Sequence, residues 1–314
     1  MVRTDLLERV EAHHPLDARA NTTIWVASCA LSVMRLMGSD FSFLIPATST
    51  WPSSAWTLFT TCLLHGDVLH LALNIFWMVR LGTATEALIG PLAMAVFVVF
   101  TGLGSGAVQW AMSGPYVGLS GVVYGFFGLL WALDRWHPGG RGLMDPRTAN
   151  FFVLWFFLAI LLDQAGALSI AHYAHGVGGL LGCVLGWSLS RPADQRGWRW
   201  FAFPLASMAC VALPLATTPQ PVIDAEWRRL FVDGTLAIQK VEDARDHGTK
   251  VDVPALLEEA EDALRASLLI RENPDALWNL SITLTMGGNF AEGAALKKRA
   301  LELDPSLEQM NRKP

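Results

Sequence analysis

The sequence predicts an all-α protein: a polytopic membrane bundle of seven helices followed by a small α-helical domain in water. Three observations carry this reading. Between Glu86 and Asp134 lie 47 consecutive residues without a formal charge, and between Asp163 and Arg191 lie another 27, more than a water-exposed helix surface tolerates. Residues 1–218 hold 11 basic and 11 acidic side chains whereas residues 219–314 hold 12 and 17, so the whole net charge of −5 sits in the tail. Neither part has the basic surplus that attracts phosphates, which argues against nucleic acid as a partner.

Residues 1–21 form a charged N-terminal segment with no apolar core before Thr22, unlike a cleaved secretory signal. A crossing needs about 20 residues, and the segments that fit are 22–44, 68–86, 90–112, 118–134, 149–168, 171–190 and 200–218. Arg35 and Asp40 interrupt the first, and Gly114-Pro115 divides the longest charge-free run into two crossings. Arginines 3, 9 and 19, then 80, then 135, 141 and 147, then 191, 196 and 199 flank one set of connections, while loops 45–67, 113–117 and 164–170 have none. That alternation places the N-terminus in the cytoplasm and, with seven crossings, residues 219–314 outside it. Span seven is the weak link, because Pro204 and Pro214 interrupt it and the tail changes sides if it does not cross. Trp51 and Trp56 suit a headgroup belt, so loop 45–67 reads either as a partly embedded structure or as an ordinary connection. Cys29, Cys62, Cys183 and Cys210 lack ligand spacing and read as small core hydrophobes.

In the tail, two helical patterns starting at Pro274 and parted at Gly288 resemble a tetratricopeptide repeat, with Leu280, Gly288, Phe290, Ala300 and Pro305 at its small and apolar positions. Gly293 and Lys297 depart from that pattern, which expects alanine and an aromatic. A preceding unit, 240–273, is degenerate, and 223–247 reads as a cap. The resemblance implies a peptide-docking or protein-docking surface; a structural appendage is the alternative.

Polar residues inside spans are costly and therefore informative. Ser120, in Gly118-Leu119-Ser120-Gly121, opens span four, and His175 opens span six from the same side, so the two share a depth. A serine needs a base, and the imidazoles at that depth are His70, His172 and His175. Gly121, Gly125 and Gly128 on one span and Gly178, Gly182 and Gly186 on the other form small-residue faces along which backbones approach closely. The spacing leaves open a Ser–His pair or ordinary glycine packing with Ser120 bonded to its own helix. His70 and Asn74 share a face of span two, and read either as oxyanion donors or as a structural hydrogen-bonding pair.

Together these motifs resemble the rhomboid family of intramembrane serine proteases over roughly residues 22–190. Gly118, Ser120 and Gly121 match the family's serine motif, and Tyr124 its tyrosine beside the catalytic histidine. Ala174, His175, Gly178 and Gly182 match the sixth-helix motif, His70 and Asn74 the histidine-x-x-x-asparagine motif, and Gly82 and Glu86 the end of the second helix. The resemblance implies a six-helix catalytic core at 22–190, with 191–218 adding a loop and an extra span. It implies Ser120 as nucleophile and His175 as base, with His70, Asn74 and the Ser120 N–H receiving the oxyanion. Tyr124, Gly118, Gly121 and Gly178 support the site, and no cofactor or metal takes part. Transmembrane proteins in a lipid bilayer are the implied substrates, cut near the extracytoplasmic face, and a bacterial plasma membrane is the expected location. Trp56 is followed by Thr57 where many relatives carry arginine. A noncatalytic relative that binds or escorts membrane proteins is the alternative function. There is no His-Glu-x-x-His helix for a zinc protease, and the first lysine, Lys240, lies beyond the spans, which removes a retinal-type Schiff base.

Overall fold

The computed structural model describes residues 5–47, 50–191, 197–217 and 219–307, and among them every regular element is helical. Two compact units emerge, Met1–Pro221 and Val222–Pro314.

The first unit opens with α1 (Asp5–Ala12), whose Arg9 donates to the Ala87 carbonyl at 3.0 Å. Next comes α2 (Arg19–Leu36), which buries Asn21, Ser28 and Ser32 and turns Val26, Val33 and Met34 outward. This inverted polarity suits a helix between lipid and a polar protein interior. The helix ends eight residues before the expected 44. Gly38, at φ +99°, lets its own N–H and that of Ser39 close back on the carbonyls of Arg35 and Met34. After a 3₁₀ turn at Ser42–Leu44 and the short α3 (Thr57–Thr60), span two is built from α4 (Val68–Trp77), a π-helical turn at Met78–Gly82, and α5 (Thr83–Ile89).

That π turn is where α2 is fastened. Glu86, almost wholly buried, accepts the N–H groups of Ala20 and Asn21 at 3.1 and 2.7 Å, capping the start of α2. The Asn21 amide donates to the Met78 carbonyl at 2.9 Å, and a Cβ on Gly82 would lie 2.3 Å from Asn21 Oδ1. Gly82 and Glu86 thus hold the entry of the first span against the second.

The remaining helices of this unit are α6 (Pro91–Ser113), α7 (Ser120–Trp136), α8 (Pro146–Gln164), α9 (His172–Leu189) and α10 (Ala202–Ala216), the last preceded by a 3₁₀ turn at Gly197–Phe201. Among the described residues, four stretches are long and apolar enough to cross a membrane: Val68–Ile89, Pro91–Ser113, Pro146–Gln164 and one beginning at Ala202. Helices α2, α7 and α9 occupy the other expected segments; α2 buries Asn21, Ser28 and Ser32, while α7 and α9 bury glycines beside apolar residues such as Phe126, Leu129 and Leu181. By contrast α8 buries only Phe152 and Ala159 and exposes Phe151, Val153, Leu154, Phe157, Leu158 and Leu161, a surface for lipid. The molecule is a multi-pass membrane protein. Its extra helix α10 packs on α6, with Phe203 stacked on Phe97 at 5.4 Å and Ser207 Oγ donating to the Phe100 carbonyl.

At the centre, α7 and α9 touch backbone to backbone. A Cβ on Gly178 would lie 2.0 Å from the Gly121 carbonyl oxygen, one on Gly182 2.0 Å from that of Gly125, and one on Gly128 2.1 Å from that of Gly179. No side chain fits at these crossings. Of the cysteines, all are free thiols, but only Cys62 is fully buried; the other three are half-buried on helix flanks.

The second unit has α11 (Gln220–His247) leading into it, then α12 (Val253–Ile270), α13 (Pro274–Met286) and α14 (Phe290–Leu303). Ala237, Ile238, Ala260, Leu264, Ala276, Leu280 and Leu284 form its core. Gly293 and Lys297 each meet a neighbour on α13. A Cβ on Gly293 would meet Thr285 Oγ1 at 2.7 Å, and the Lys297 ammonium sits 4.9 Å from the Trp278 ring centre, a cation–π contact in the aromatic's place. Arg299 donates twice to Glu272, which holds that carboxyl below its usual range.

Candidate active site

Ser120 is the first residue of α7 and His175 lies in the first turn of α9, so the glycine contacts below them fix their separation. His175 Nε2 and Ser120 Oγ are 2.8 Å apart. The serine hydroxyl is therefore not bonded back to its own helix. Tyr124, one turn below Ser120, stacks on the His175 ring at 4.6 Å with 15° between planes, and its hydroxyl donates to the Phe152 carbonyl at 3.1 Å. His175 Nδ1 is buried and has no hydrogen-bond partner among the described residues. Among the described residues no acidic side chain is hydrogen-bonded to the imidazole.

The turn before Ser120 is held from several sides. Gly118 has φ +110°, a conformation that favours glycine. Its missing side chain also makes room for His70, because a Cβ there would lie 2.6 and 2.7 Å from His70 Cε1 and Nε2. Thr61 Oγ1 donates to the Tyr116 carbonyl, and the Gly118 N–H donates to the Thr61 carbonyl at 3.4 Å. Fully buried His65 receives the Leu119 N–H on Nε2 at 3.5 Å while its Nδ1 faces Ser32 Oγ at 3.1 Å. Arg35 donates to the His65 carbonyl at 3.2 Å, so an arginine of α2 braces this segment. A Cβ on Gly121 would collide with Ser105 Oγ at 2.7 Å.

A cavity of about 830 Å³ joins these groups: Ser120, His175, His70, Asn74 and Tyr124 all line it. Asp67 caps α4 by accepting the His70 N–H at 2.8 Å, which sets the His70 ring at the cavity wall. Asn74 Nδ2 donates to the His70 carbonyl of its own helix at 2.9 Å, an intrahelical bond that leaves one amide hydrogen free for the cavity. This hydrogen bond of Asn74 is thus within one helix. His172 does not reach Ser120; its Nδ1 pairs with Asp163 Oδ2 at 3.2 Å.

Several contributors escaped the sequence reading, Thr61, Ser32, Ser105 and Gln109 among them. Gln109, almost wholly buried on α6, accepts the Ala174 N–H at 3.2 Å and so holds the residue before His175. Its signal is the same as that of the other site residues, a lone polar side chain in a charge-free span.

Residues 52–192 match the Rhomboid domain. The chain is also 32% identical over 181 residues to the rhomboid protease GlpG of Enterobacter sp. (strain 638), a match covering 56% of this chain and 65% of that protein. The aligned part is thus just under two thirds of the relative's length. Both comparisons support the rhomboid family. The rhomboid match contains every site residue named above except Arg35 and Ser32, which lie on α2 upstream of it. The tail, 222–314, lies beyond it.

Proposed function

We propose that the protein is an intramembrane serine endopeptidase working through a Ser120–His175 dyad. The observation that carries this reading is the 2.8 Å bond between Ser120 Oγ and His175 Nε2 in the wall of a cavity within an apolar helical bundle. With Nε2 accepting, His175 takes the serine proton as Oγ attacks a peptide carbonyl. Because Ser120 is the first residue of α7, its N–H is among the unpaired donors at a helix N-terminus and faces developing negative charge. His70 and Asn74 supply the other donors. His175 then returns the proton to the leaving amine, and water admitted through the cavity hydrolyses the acyl ester. A substrate helix has its backbone bonds satisfied internally, so it must unwind locally to be cut.

The positive-inside alternation supports an N-terminus in the cytoplasm and a cut near the extracytoplasmic face, and the compact bundle with its simple N-terminal segment supports a bacterial plasma membrane. Helical pairing across α13 and α14 supports a tetratricopeptide-like tail that docks a peptide or protein. The test is cleavage of a transmembrane reporter by purified wild type and Ser120→Ala, with products mapped by mass. Loss of all products in S120A supports the reading; a folded wild type that binds the reporter without cutting it would favour an escort.

A further inference from the structure

We propose that Asp163 and His172 are positioning residues for the base, clasping the α8–α9 connection so that the first turn of α9 presents His175 to Ser120. The inference rests on the dyad reading above.

Asp163 stands one residue before the end of α8 and uses both carboxylate oxygens on the far side of the connection. Oδ1 accepts the Ile170 N–H at 3.1 Å, and Oδ2 lies 3.2 Å from His172 Nδ1. The same Nδ1 is 3.3 Å from the Ile170 carbonyl oxygen. A ring nitrogen facing two acceptors must carry a hydrogen, so the clasp fixes the tautomer of His172. The side chains are 13% and 28% exposed, shielded enough for the bonds to hold.

Two features connect this clasp to the chemistry. Leu168, Ser169, Ile170 and Ala171 line the cavity, so the clasped segment is one of its walls. His172 begins α9, and His175 follows three residues later with its N–H bonded to the Ala171 carbonyl at 3.2 Å. Among the described residues the imidazole of His175 has no hydrogen-bond partner on Nδ1. Its placement therefore depends on Tyr124, on Ser120 and on where the first turn of α9 starts. In a Ser-His-Asp triad an acid holds the imidazole directly. Here a carboxylate would hold the backbone that carries the imidazole.

The experiment compares full-length wild type, S120A, D163A, D163N and H172A for reporter cleavage, fluorophosphonate labelling of Ser120, and folded fraction. Expected for D163A is a fall in kcat and in labelling rate of roughly 10- to 100-fold at a KM within about twofold of wild type, since small misplacements of reacting groups act on the rate. D163N keeps an acceptor for the Ile170 N–H and should recover much of that loss; H172A should lie between. D163A and D163N both at wild-type rates would overturn the proposal, as would losses that merely track the unfolded fraction. H172A as inert as S120A would make His172 a base and overturn it equally. A wild type that neither cleaves nor labels would sink the dyad reading itself, and this proposal with it.

Discussion

The Ser120 hydroxyl and the His175 ring meet without help from an acid, so each should matter far more than any neighbour. His175→Ala is expected to lower reporter turnover by about three orders of magnitude or more, as loss of a base does in serine hydrolases. His172→Ala should retain most of the fold and measurable turnover, because its ring faces Asp163 and not Ser120. A rate comparison at saturating reporter checks the ranking. For the proposed oxyanion donors, His70→Ala and Asn74→Ala should each slow acylation by about 10²- to 10³-fold with little change in KM, because the interaction strengthens only as charge develops. Single-turnover labelling separates that outcome from a binding defect. At this scale much was legible, because an apolar helix makes every serine, histidine and asparagine conspicuous. What the sequence could not give was direction: Asn74 bonds its own helix, His172 turns to Asp163, and Gln109 reaches α9, all choices made by rotamer and neighbour.

Helices α7 and α9 are held together by the absence of side chains. Gly178→Val is expected to destabilise the bundle by at least about 1–3 kcal/mol, the usual cost of overfilling a packed site, and to abolish cleavage, since its Cβ would occupy the Gly121 carbonyl. Thermal unfolding in detergent beside a cleavage assay reads both. The spacing of the glycines made this face legible, as four-residue repeats have few other uses in lipid. Element ends were less so. The first span stops at Leu36 because Gly38 closes it, and the second runs through a π turn to Ile89, since Asn21 and Glu86 bind across chain-distant segments. Hydropathy windows do not register such bonds.

The molecule as a whole pairs a bundle of zero net charge with an acidic helical tail, a division visible in charge alone. Since every proposed catalytic group precedes Arg191, removing residues 219–314 should leave cleavage of a short transmembrane reporter within about threefold of wild type, the range of context effects on a rate-limiting contact. Selective loss on a larger partner-bearing substrate would be the mark of docking by the tail. A cysteine placed by Asp246→Cys should react with an impermeant thiol reagent from outside the plasma membrane if α10 crosses it; labelling only after that membrane is broken would reverse the side. The central claim is nonetheless chemical, and one comparison bears on it most directly. Wild type and Ser120→Ala, matched for folding, are incubated with a transmembrane reporter and the products identified by mass. The account predicts discrete cleavage within the reporter's membrane segment by wild type and none by S120A. Equal cleavage by both proteins would contradict it.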